Sequence, residues 1–158
     1  MRRTIFYVAA AAGLASGLAA MAQEQAVAPS EPLPLKEFMG HVMQRNAEQL
    51  WQWTALLIDE KGEHSGQPNS DEEWENAESD ALTLAQLAQA LESPTYRIDD
   101  KRWASHVAGF RAAAAAGADA AERKDFRALE RAGEDINTQC VSCHLTFAPE
   151  LEAPPPSS

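Results

Sequence analysis

Apolar residues recur along this chain at steps of three and four, and the recurrences fall into four blocks separated by polar, glycine-containing or proline-containing breaks. The first block runs from Leu35 to about Asp59 through Phe38, Met39, Val42, Met43, Leu50, Trp51, Thr54, Leu57 and Ile58, and predicts helix one. The polar stretch 61–69, with Gly62, Gly66 and Pro68, predicts a loop. Ser70 followed three residues later by Glu73 has the form of a capping box, so helix two starts there. Its stripe is Trp74, Ala77, Ala81, Leu84, Leu87, Ala88 and Leu91, and Ser93-Pro94 stops it. Asp99 or Asp100 caps helix three, whose face is Trp103, Val107, Phe110, Ala114, Ala118 and Ala121. Helix four begins near Asp125 and carries Phe126, Leu129, Gly133, Ile136, Cys140, Cys143 and Phe147 at the same steps, ending at Ala148-Pro149. No segment alternates with period two. The pattern predicts an all-α fold, most economically an antiparallel four-helix bundle over residues 35–148.

The two ends change the picture. Residues 1–22 have the form of a secretory signal peptide: Arg2 and Arg3, an apolar run from Ile5 to Ala20, then Ala20-Met21-Ala22. Residues 23–34, with Pro29, Pro32 and Pro34, read as an extended leader, and residues 149–158 as a proline-rich tail, extended or disordered. Apart from the signal no stretch is long and apolar enough to span a bilayer, so no membrane attachment is expected once it is removed. Removal takes away two arginines and no acidic residue, moving the formal net charge from −11 to −13. That acidity argues against nucleic acid as a partner and favours basic proteins.

The chemistry sits in Cys140-Val141-Ser142-Cys143-His144. Two thiols three residues apart can add to the vinyl groups of a haem as thioethers, and the histidine after the second can ligate iron from one side. Three other uses of the same residues compete. A thiol-disulfide motif belongs at a helix N-terminus, whereas this one lies near the end of a helical pattern. A structural zinc site needs about four ligands, and His41, His64 and His106 are scattered. A plain disulfide leaves His144 without a role. Export and covalent haem support each other, since thioether haem is assembled outside the cytoplasm, and the expectation is a periplasmic protein with one haem c.

With signal, four helices and Cys-x-x-Cys-His near the C-terminus, the chain resembles class II c-type cytochromes, the cytochrome c′ group, over essentially its whole mature length. The resemblance implies a haem between helices one and four, with Cys140 and Cys143 as thioether positions and His144 as proximal iron ligand. The distal ligand would come from the first turns of helix one: Met39, with Met43 one turn on as the alternative, while His41 points away from that face. Helix one lacks the arginine many cytochromes c′ carry before the distal position; Lys36 is the nearest basic residue. The implied function is a mono-haem electron carrier, not an enzyme, exchanging electrons with redox partner proteins; the alternative is a five-coordinate haem protein that binds small gases. Pairing of two copies through helices one and two is common in that family, so a homodimer is compatible with the resemblance. The four tryptophans read as core and rim packing, and His64 and His106 as surface residues.

Overall fold

The computed structural model describes residues 31–60 and 62–151, of which 73% are helical. The signal peptide and most of the leader lie outside the described residues, as does the tail beyond Leu151. Among the described residues no helix is long and apolar enough to cross a membrane. Four helical stretches pack on one another, so the fold is mainly α.

The first stretch has three parts: α1 (Leu35–Phe38), a π segment (Met39–Met43) and α2 (Gln44–Gln52). In the π segment the Gln44 N–H donates to Met39 O, five residues back instead of four. The Asn46 side chain donates to Val42 O at 2.7 Å, giving a carbonyl at the end of this wider turn a second partner. Periodicity cannot reveal one inserted residue, because a π segment shifts the phase of the stripe by less than the tolerance of a three-or-four pattern.

The helix stops at Gln52, earlier than its apolar pattern predicts. Trp53 and Thr54 N–H groups turn back to Leu50 O and Trp51 O, and residues 56–65 form an antiparallel hairpin of β1 (Leu56–Asp59) and β2 (Gly62–Ser65), Leu56 opposite Ser65 and Asp59 opposite Gly62. Gly62 sits at φ +104°, a conformation L side chains rarely adopt, which lets the turn close. Leu56 and Ile58 are 62% and 76% exposed, so neither belongs to a buried helix stripe. The expected absence of strands and a loop over 61–69 are corrected here.

The other three helices follow their local signals. Ser70 Oγ accepts the Glu73 N–H at the start of α3 (Asp71–Glu92), while Glu73 reaches back to the Asn69 N–H. Asp100 caps α4 (Lys101–Glu122) by accepting the Arg102 N–H, and Asp125 caps α5 (Phe126–Phe147) by accepting the Ala128 N–H. The tail prediction fails at its first residues: Pro149–Leu151 form a short 3-10 turn.

Arg102 also grips Asp100 through its guanidinium, and these two bonds, side chain first, hold the Asp100 carboxyl at about 2, below the ordinary 3.8. A depressed carboxyl contributes stability above its ordinary value and loses it as pH falls toward 2. Acid titration followed by circular dichroism should show α4 loosening between about pH 4 and pH 2. An Asp100→Asn variant should lack that step.

Helix α3 packs along α4, α4 along α5, and α2 on α3. Their shared core centres on the fully buried Leu50, Leu84, Val107, Leu129 and Ile136. Alanine lets the helices approach: a Cβ built on Gly117 of α4 would lie 3.4 Å from the methyls of Ala81 on α3 and Ala132 on α5. Leu129→Ala would leave a void in this packed centre, costing about 2–5 kcal/mol and visible as a lower urea midpoint with an unchanged slope.

Helix α2 meets α5 near the base of the molecule. The Trp51 indole N–H donates to Gly133 O at 3.1 Å. Trp53 Nε1 donates to Asp80 of α3 at 2.7 Å, and Trp103 Nε1 to Leu91 O at 2.7 Å. Trp74 and Trp103 are buried, Trp51 and Trp53 half-buried, as core and rim packing requires.

Candidate functional site

Above the Trp51–Gly133 contact the first helical stretch and α5 separate, and a pocket opens between them. Its wall is formed by Met39 and Met43 of the π segment, Gln44 and Ala47 of α2, Leu91 of α3, His106, Val107 and Phe110 of α4, and Gln139, Cys140, Cys143 and His144 of α5. The enclosed cavity is small, about 60 Å³, and is bounded mostly by apolar side chains. All five residues expected at the site from the sequence therefore meet on one pocket. Met39 and Met43 come from the N-terminal side of the first stretch and the Cys-x-x-Cys-His turn from the C-terminal side of α5. Trp51, further along the first stretch, meets Gly133, earlier on α5, so the two run in opposite directions.

Local physics explains the placement on α5. At 100° per residue, Cys140 and Cys143 lie about 60° apart around the helix and His144 about 40° beyond Cys140, so the three side chains share one face. Both cysteines are half-buried: they line the pocket and are not sealed in the core, which refines the expectation that they lie on a buried face. Burial pushes the Cys143 thiol above its ordinary value. A thiol-disulfide catalyst needs the reverse, a lowered thiol at a helix N-terminus, whereas this pair lies in the last turns of a 22-residue helix. No group of three His, Cys, Asp or Glu among the described residues could hold a metal ion as a cage, so the donor set does not fit structural zinc.

The donor set does fit a covalent haem. Two thiols and an imidazole share one rim, a thioether side chain faces them from the first helical stretch, and Met43, Ala47, Leu91, Val107 and Phe110 supply the apolar wall a macrocycle needs. Met39 is half-buried at the pocket, whereas Met43 is 8% exposed and belongs to the packed core. His41 is exposed and paired with Glu37 at 3.1 Å, outside the pocket lining. Lys36 is exposed and does not line the pocket, so nothing here assigns it the role of the missing arginine.

One residue was misread from the sequence. His106 is half-buried in the pocket wall, not a surface residue, with Nδ1 3.3 Å from Ser142 Oγ and Nε2 3.4 Å from Thr146 Oγ1. The only sequence signal was its position beside Val107 on the stripe of helix three, and a lone polar residue next to a stripe is ambiguous. Gln139 and Gln44 were missed for the same reason. His64 is exposed on β2, as expected.

Comparison with protein-family models, curated proteins and solved structures finds no match to this chain.

Proposed function

We infer that this protein is a periplasmic mono-haem c-type cytochrome acting as an electron carrier, built as an antiparallel four-helix bundle of the class II type. The observation that carries the reading is convergence: Cys140, Cys143 and His144 line one largely apolar pocket together with Met39 of another helical stretch. A haem held there supplies a one-electron couple between ferric and ferrous iron. Cys140 and Cys143 would anchor it by thioethers, His144 would ligate iron on one side and Met39 on the other, with Met43 packing the wall behind. Leu91, Val107 and Phe110 would keep water from the buried face, so that little solvent reorganises when the charge on iron changes. The strongly acidic chain suits steered encounter with basic redox partners.

Spectra of protein matured with c-type haem, reduced and then exposed to carbon monoxide, test this function. A mature mass raised by one haem, a low-spin spectrum and slow carbon monoxide binding support the electron carrier. A high-spin spectrum with rapid binding moves the protein to the gas-binding alternative. A mass without haem removes both.

A further inference from the structure

The hydroxyls that meet His106 belong to the haem-motif segment itself. Ser142 lies inside the motif and Thr146 two residues past His144. Both ring nitrogens of His106 lie within hydrogen-bond distance of a hydroxyl, and the Thr146 hydroxyl also donates to Ser142 O at 3.1 Å. One imidazole thus bridges two side chains four residues apart, one turn of α5.

Aromatic packing backs this bridge. Phe147, the last residue of α5, stands edge-on to Trp103 at 5.1 Å and to His106 at 5.8 Å, and the Arg102 guanidinium lies 5.6 Å from the Phe147 ring centre. Trp103 is buried and tied to Leu91 O, so the α4 side of this contact is itself held in place.

Angle around the helix shows what the arrangement does. Ser142 and Thr146 are each two residues from His144, about 200° away in either direction. Both therefore lie on the back of α5 when His144 faces forward. A helix pinned on its back at two points one turn apart cannot rotate about its axis, and the direction in which it presents a forward side chain is set by that rotation.

We propose that His106 is a positioning residue: by bridging Ser142 and Thr146 it fixes the rotation of the last turns of α5, and with it the direction in which His144 and the two cysteines are presented to the pocket. The proposal rests on the haem reading for its consequence, and on the hydrogen-bonded bridge for its structure. With iron bound, loosening the bridge lets the His144 ring turn relative to the macrocycle, which changes ligand strength in one oxidation state more than the other.

The test uses full-length, haem-matured protein, wild type and His106→Leu, with His106→Gln as the conservative variant because an amide can both donate and accept. Amide hydrogen exchange by mass spectrometry reads the bridge, and the midpoint potential reads its consequence at iron. His106→Leu is expected to speed exchange over residues 142–147 at least tenfold while leaving α3 unchanged. It is also expected to shift the ratio of ferric to ferrous ligation about tenfold, which is ~59 mV for a one-electron couple. His106→Gln should recover most of both. Should His106→Leu fail to fold, Ser142→Ala combined with Thr146→Val removes the same bonds from the α5 side and is held to the same outcomes. Wild-type exchange and potential in the leucine variant would overturn the proposal, and so would faster exchange spread equally over α3 and α5, which marks general packing. A chain that carries no haem by mass refutes the haem reading, while the exchange result still decides whether the bridge exists.

Discussion

Replacing Cys140 and Cys143 together with alanine is expected to yield a protein whose colour is lost on denaturation, while the wild type stays coloured in denaturant. The two thiols lie within one turn of α5 and line the pocket, and no other cysteine exists in the chain to substitute for them. Thioether bonds survive unfolding; axial ligation by His144, as proposed, would not, because it would depend on the folded pocket. Mass spectrometry of denatured protein should therefore show one haem on the wild type and none on the double variant. Each single variant should keep a haem through one remaining thioether, in lower yield. Stability should fall with the cofactor. Without it the apolar wall of Met43, Leu91, Val107 and Phe110 would lose the macrocycle buried against it in the folded state. Thermal unfolding should drop by ten degrees or more. A wild type that itself carries no haem after expression in a host that matures c-type cytochromes would end the cytochrome reading.

The second large effect is expected at the distal face. Met39→Ala should convert a low-spin spectrum to a high-spin one and speed carbon monoxide binding by at least tenfold, with little change in the folded state. Met43→Ala should do the opposite: keep the low-spin spectrum and lose about 2–5 kcal/mol of stability. The difference follows from burial. Met43 is 8% exposed and packs in the core, where its thioether replaces a plain aliphatic side chain, whereas Met39 is half-buried with its side chain at the pocket. Both lie in the π segment, and such wide turns recur at functional sites because they re-aim one side chain without breaking the helix. Low spin retained in Met39→Ala but lost in Met43→Ala would exchange the two assignments.

Ser70, Asp100 and Asp125 show why much of the helical layout was legible along the chain. Each cap needs one side-chain oxygen and an N–H two or three residues on, so the whole interaction is written within four residues. The stripes of α3, α4 and α5 were legible for a related reason. Their apolar faces are wide and their alanines tolerate close packing, so the periodicity survives intact. Ile58 broke the same rule. An exposed apolar residue at the end of a helical stripe continues its spacing, and only the pairing of Leu56 with Ser65 and Asp59 with Gly62 shows that the backbone has left the helix.

The amino-acid sequence by itself determined the number of long helices, their caps and the identity of the five candidate ligands and anchors, because each of these depends on neighbours within a turn or two. Tertiary structure alone decided that Met39 and His144, over a hundred positions apart, border one pocket, that Trp51 meets Gly133, and that His106 reaches Ser142 and Thr146 of α5. Those relations depend on helix rotation and crossing. Both are set by the summed packing of side chains such as Ala81, Gly117 and Ala132, whose contacts span three helices and leave no local mark in any one of them.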